Sequence, residues 1–154
     1  MLASEITVRQ ARPEEAESLR ELAVRSKGYW GYDARFLEQW RALLTLSAGD
    51  LARDPTYVVV AEREVVGFYR LTGSPPEGCL EDLWLDPSRI GQGLGRRLWK
   101  HALATARSLG FRTLEIEAEP GAEGFYRTMG AERTGERESA LGAGRRLGLF
   151  RVAL

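Results

Sequence analysis

The stretch RIGQGLGRRL, Arg89 to Leu98, holds glycines at alternate positions, Gly91, Gly93 and Gly95, among Arg89, Arg96 and Arg97. It follows the apolar run CLEDLWL, which Asp86-Pro87 stops, and it opens an amphipathic run. It therefore sits where a strand turns into a helix. A helix start offers amides without partners and a partial positive charge, and glycines let a bulky anion approach the backbone. The ligand suited to this segment is a phosphate or diphosphate, with the three arginines adding mobile positive charge. The dinucleotide fingerprint G-x-G-x-x-G fails from Gly91 and from Gly93, because Arg96 or Leu98 stands where the last glycine belongs. No Lys followed by Ser or Thr is present to complete a P-loop.

Two further groups of residues could carry chemistry. Glu81 and Asp82 are adjacent on the run before the glycines, and strand alternation sends them to opposite faces. SKGYWGYD, Ser26 to Asp33, sets Tyr29, Trp30 and Tyr32 around Gly28 and Gly31. A loop gains little from rings left wet, so these either meet a ligand or plug the core between two helices. The single histidine, His101, lies mid-helix near Arg97 and Lys100 and reads as solvent-facing. The single cysteine, Cys79, reads as a small hydrophobe at a strand start. One histidine and one cysteine argue against a Ser-His-Asp triad and exclude an internal disulfide and a cysteine-based metal site, so no metal is expected.

The elements that must position these residues follow from periodicity. ITVRQA (Ile6 to Ala11) reads as a strand. Pro13 and the acidic Glu14, Glu15 and Glu17 start a helix that Gly28 ends, with Leu19, Leu22 and Ala23 as its apolar stripe. Asp33 caps a second helix with Phe36, Leu37, Trp40, Leu43 and Leu44 on one side, and Phe36 and Trp40 are expected in the core. YVVVAE and VVGFYRL form a hairpin about Arg63-Glu64, TGSPPEG is a loop, and CLEDLWL is a strand. LGRRLWKHALATARSLG is a helix, RTLEIEA a strand and EGFYRTMG a short helix, followed by two strands near Ala131 to Arg137 and Arg145 to Ala153. The order β-αα-βββ-α-β-α-ββ predicts an α+β domain with a mixed sheet.

The whole chain sets the frame. Its 154 residues are expected to form one domain, 1–154, with a soluble composition of 44% hydrophobic and 29% charged residues. The 22 basic residues balance the 22 acidic ones, which gives no reason to expect nucleic acid or a membrane as partner. MLASEITVRQAR lacks the features of a signal peptide, so a cytoplasmic protein is expected.

LWLDPSRIGQGLGRRL resembles the acetyl-CoA-binding motif of the GNAT family of N-acetyltransferases. Leu85-Asp86-Pro87 matches the strand end and Gly93 and Gly95 match the paired glycines, while Ile90 departs from the usual Arg or Gln. EAEPGAEGFYRTMGAE is similar to the second motif of the family in Ala122, Phe125, Tyr126 and Gly130, with Glu119 or Gly121 where an Asn would stand. The element order is also that of the family. The resemblance implies a mostly antiparallel central sheet, a V-shaped splay between its fourth and fifth strands, and helices on both faces. It implies acetyl-CoA as co-substrate, held by Ile90, Gly91, Gln92, Gly93, Leu94, Gly95, Arg96 and Phe125, with its pantetheine along the main chain of Leu83, Trp84 and Leu85.

The same resemblance makes Tyr126 the proton donor to the departing thiolate, or else a packing residue that orders the cofactor. Glu81 or Asp82 would take the proton of the attacking amine, directly or through water. Tyr29, Trp30 and Tyr32 would border the acceptor, a small-molecule or peptide amine. The C-terminal strands of such folds often pair between subunits, so a homodimer is compatible. The rival reading is a non-catalytic acyl-CoA-binding sensor on the same fold.

Overall fold

The computed structural model describes residues 5–142 and 145–154; the first four residues of the N-terminal stretch read above lie outside them. The strands are β1 (Ile6–Gln10), β2 (Thr56–Ala61), β3 (Glu64–Ser74), β4 (Glu77–Leu85), β5 (Thr113–Ala118), β6 (Glu132–Glu138) and β7 (Arg146–Ala153). The helices are α1 (Ala16–Gly28), α2 (Ala34–Leu43), α3 (Ala48–Arg53), α4 (Leu94–Ser108) and α5 (Glu123–Thr128). They flank one seven-stranded sheet of order β1-β2-β3-β4-β5-β7-β6. β1 with β2, β2 with β3, β5 with β7 and β6 with β7 pair antiparallel, whereas β4 and β5 pair in parallel. The expected α+β class and mostly antiparallel sheet are present. Among the described residues, no helix is long and apolar enough to cross a membrane.

Three differences from the sequence reading have local causes. Pro13–Glu15 forms a 3-10 turn, and the α-helix itself begins at Ala16. α3 was not expected, since six residues are too few to show a period. Its start is written in a capping box, where Ser47 and Asp50 each accept from the other's amide. TGSPPEG is mostly strand: β3 runs to Ser74 and β4 starts at Glu77, leaving only the cis-linked Pro75-Pro76 between them.

The chain divides into two compact units. One comprises the residues up to Arg70 together with Asp82–Leu98; the other comprises Leu71–Glu81 and Trp99–Leu154. The first buries Ala16, Leu19, Leu22 and Ala23 of α1 with Leu51 of α3, Val58 of β2 and Phe68 of β3. In the second, β5 turns Leu114, Ile116 and Ala118 inward at alternate positions. Their β7 partners are Val152, Phe150 and Gly148. The parallel ladder within this unit joins Glu77–Cys79 to Thr113–Glu115; among the described residues it ends at Cys79↔Glu115, while β4 runs on to Leu85 and β5 to Ala118.

Candidate functional site

The glycine loop forms as its sequence dictates. Asp86 leaves β4 and caps a 3-10 turn, Pro87–Arg89, by accepting from the Ser88 amide at 3.1 Å and the Ser88 hydroxyl at 2.8 Å. Gly91 and Gly93 then take φ of +86° and +82°, a conformation that side-chain-bearing residues adopt at a cost. Nothing lies within 4 Å of where a Cβ would stand at either position, so their need is for backbone conformation and the face above them is open. α4 begins at Leu94, whose side chain is buried while Gly91, Gln92, Gly93 and Arg96 stay exposed. The first amides of a helix lack intrahelical partners. That of Arg97 is bonded, donating to the Gly93 carbonyl at 3.2 Å. The start of such a helix carries a partial positive charge.

The three arginines do not act alike. Arg89 pairs with Glu62 at 3.3 Å, and Arg97 donates to the Ile6 carbonyl at 2.9 Å. Arg96, exposed and without a side-chain partner among the described residues, is the one left to turn toward a ligand. Ile90, in the position that departs from the family motif, is 39% exposed and brings no donor. Arg25 of α1 meets Asp86, where the loop leaves β4, at 3.1 Å. Burial works against the charge of Asp86, but the Ser88 hydroxyl and amide and the Arg25 guanidinium outweigh it and hold its pKa below the ordinary aspartate value.

The two carboxylates on β4 differ sharply. Asp82 is buried, with Oδ2 accepting from Arg70 Nε at 2.8 Å and Oδ1 accepting from the Trp84 indole at 3.1 Å. Arg70 is itself buried and bridges on to Asp54 at 3.0 Å. Burial opposes its charge, yet Asp82 and Asp54 hold its pKa above the ordinary value. A carboxylate gripped at both oxygens is an anchor. Glu81 is exposed and, among the described residues, accepts a long 3.3 Å bond from Thr72 Oγ1. Leu83, Trp84 and Leu85 are half-buried. Gly67 of β3 makes room for them: a Cβ there would stand 2.9 Å from the Trp84 carbonyl oxygen and 2.7 Å from Leu85 Cδ2.

The aromatic loop divides. Tyr29 and Trp30 are 51% and 39% exposed and meet edge to face at 5.0 Å between centroids. Tyr32 turns inward and stacks on Phe36 at 4.2 Å. Asp33 caps α2 as expected, accepting from the Phe36 amide at 2.8 Å. Of the two rings expected in the core, Trp40 packs against the core cluster of the first unit while itself half-buried; Phe36 is half-buried, and α2 has no fully buried residue. The buried group beside them is Lys27, whose Nζ lies 5.2 Å from the Tyr32 centroid, 5.9 Å from Phe36, 5.3 Å from Trp40 and 6.0 Å from Trp84. Sequence reading missed this lysine. The spacing of Tyr32, Phe36 and Trp40, four residues apart, was the available signal of a ring-lined helix face.

In the second unit Tyr126 is buried on α5 among Phe125, Trp99 and Phe150, with centroids at 5.3, 5.8 and 6.0 Å. Phe125 is half-buried and meets Trp99 edge-on at 6.3 Å. Glu119, where the second motif would have Asn, lies 3.5 Å from Arg145. His101 is half-buried rather than solvent-facing, with Nδ1 3.4 Å from Thr105 Oγ1, and burial pushes its pKa down. Cys79 is a half-buried free thiol whose pKa is raised by burial and then by Glu81 and Glu115.

The strand ending in Asp-Pro, the positive-φ glycine turn, the helix start and the mixed sheet agree with what the resemblance to the GNAT acetyltransferases implies. The GNAT acetyltransferase family model matches residues 16–131, and the chain belongs to that family. It is an N-acetyltransferase. Over 135 residues it is 38% identical to the peptidyl-lysine N-acetyltransferase YjaB of Salmonella typhimurium, covering 86% of this chain and 88% of that one. It is 31% identical to the aminoglycoside N(6')-acetyltransferase type 1 of Stenotrophomonas maltophilia over 146 residues, 87% of this chain and 91% of that one. Among solved structures, the PaiA N-acetyltransferase of Thermoplasma acidophilum in complex with coenzyme A shares the fold, with a TM-score of 0.81 over 97% of this chain and 99% of that one, at 16% identity.

Proposed function

We propose that this N-acetyltransferase takes its acetyl group from acetyl-CoA and passes it to a primary amine that the chain admits beside Tyr29, Trp30 and Tyr32. The observation that carries the reading is the glycine turn at the head of α4, where Gly91 and Gly93 take positive φ and nothing lies within 4 Å of a Cβ at either position, which supports room for a diphosphate at a helix start. Acetyl-CoA supplies the activated acyl thioester. Arg96, which alone of the loop's three arginines has no side-chain partner among the described residues, adds charge, and the main chain of Leu83 to Leu85, fixed on its Gly67 side, accepts the pantetheine.

Transfer by direct attack needs a proton removed from the amine and one delivered to the leaving sulfur. Glu81, exposed and weakly held, serves the first step better than Asp82, whose oxygens are both engaged. Tyr126 serves the second, and its neighbouring rings fix its orientation. A cytoplasmic setting, with a free thiol and acetyl-CoA as donor, belongs to the same reading. The relatives act on peptidyl lysine and on an aminoglycoside by name, so the acceptor classes to compare are lysine peptides, aminoglycosides, polyamines and aromatic amines. A thiol-release assay with acetyl-CoA against that panel should show turnover for at least one class. Coenzyme A affinity with no release across the panel would overturn the catalytic reading.

A further inference from the structure

Lys27 lies in the last turn of α1, where a cation is favoured by the helix dipole, and its side chain enters a hollow walled by four rings. Those rings come from three places: Tyr32 from the loop, Phe36 and Trp40 from α2, and Trp84 from β4. Trp40 meets Trp84 edge to face at 5.3 Å, and Trp84 is locked in turn by its bond to Asp82. The loop hangs from the same turn of helix, since Trp30 N donates to the Lys27 carbonyl at 3.2 Å and Gly31 N to that of Gly28 at 3.1 Å. A leucine or methionine would fill an aromatic hollow without the cost of desolvating an ammonium. Ring faces attract a cation from several directions at once, which an apolar side chain does not reproduce.

We infer that Lys27 is a positioning residue: its ammonium gathers the loop of Tyr29, Trp30 and Tyr32, helix α2 and strand β4 into one arrangement, and so sets the acceptor border relative to Leu83–Leu85. The consequence for acceptor binding rests on the function proposed above; the ordering of the loop does not. Lys27 makes no contact with reacting atoms in this account.

The test compares wild type, Lys27→Met and Lys27→Arg by amide hydrogen exchange over Gly28 to Asp33, by melting temperature, and by steady-state kinetics. The kinetic probe is the dipeptide amide N-acetyl-Phe-Lys-NH2. Lys27→Met, similar in length and apolar, should exchange about tenfold faster in the loop, with the melting temperature showing that it is folded. The acceptor KM should rise about tenfold, with kcat and the acetyl-CoA Kd within about twofold, and Lys27→Arg should restore both readouts. Wild-type exchange in Lys27→Met, or exchange in Lys27→Arg as fast as in Lys27→Met, would overturn the inference. If Lys27→Met does not fold, Trp84→Leu, which removes one ring, must speed loop exchange for the inference to stand. No turnover of the dipeptide or of the wider panel by wild type would fail the proposed function instead, leaving the exchange result to decide the role of Lys27.

Discussion

Arg70 Nε and Asp82 Oδ2 meet at 2.8 Å on neighbouring strands, with both residues at most 5% exposed. Removing one partner of such a pair strands the other charge in the interior. Asp82→Asn is expected to cost about 3 kcal/mol, the lower end of the usual range because Asp54 still faces Arg70. The double variant Arg70→Met, Asp82→Leu should cost less than the sum of its single changes. Urea unfolding measures all three. An Asp82→Asn variant as stable as wild type but without turnover would return Asp82 to the role of base.

Tyr126→Phe keeps the ring cluster and removes only the hydroxyl. Turnover should fall about 10²- to 10⁴-fold, the span of general acid catalysis, with acetyl-CoA affinity within a few fold of wild type. Equal turnover would leave Tyr126 a packing residue.

Gly93 at φ +82° meets no neighbour, so alanine there would be strained by conformation alone, by about 1–2 kcal/mol. Gly93→Ala should weaken acetyl-CoA binding at least tenfold, and Gly93→Asn should weaken it less, because Asn tolerates the left-handed region. Calorimetric titration distinguishes the two. Equal affinity in all three proteins would remove the loop from the binding site.

Asp86 carries a pH dependence of known direction. Its folded pKa is depressed, so its contribution to stability is complete above the ordinary aspartate pKa of about 4 and is lost as pH falls through the lower folded value. The stability gap between wild type and Asp86→Asn should therefore be wider at neutral pH than below the folded pKa. A gap that stays constant into strong acid would show that the carboxylate charge is not what holds the turn.

Much of this was legible in the sequence because it is local. Asp33 before an amphipathic run, Asp86-Pro87 after an apolar one and glycines at 91 and 93 each specify a nearby backbone state, and the structure places a cap, a turn and two positive-φ residues there. What was not legible depends on partners distant in sequence. Arg89 and Arg97 looked mobile until Glu62 and the Ile6 carbonyl were seen beside them. Arg70 and Asp82 each interrupt an apolar strand, but only the alignment of β3 with β4 brings them together. Phe36 and Trp40 carried the periodicity of core residues, and the ammonium of Lys27 occupies the hollow they face.

The central claim is that main-chain amides at the head of α4 hold the diphosphate of acetyl-CoA. Titrating acetyl-CoA into uniformly 15N-labelled protein tests it at the atoms concerned. The amides of Gly91, Gln92, Gly93, Leu94, Gly95 and Arg96 should show the largest saturable shifts, with those of Leu83 to Leu85 following at the same midpoint. Saturable binding that leaves the Gly91–Arg96 amides unmoved would contradict the account.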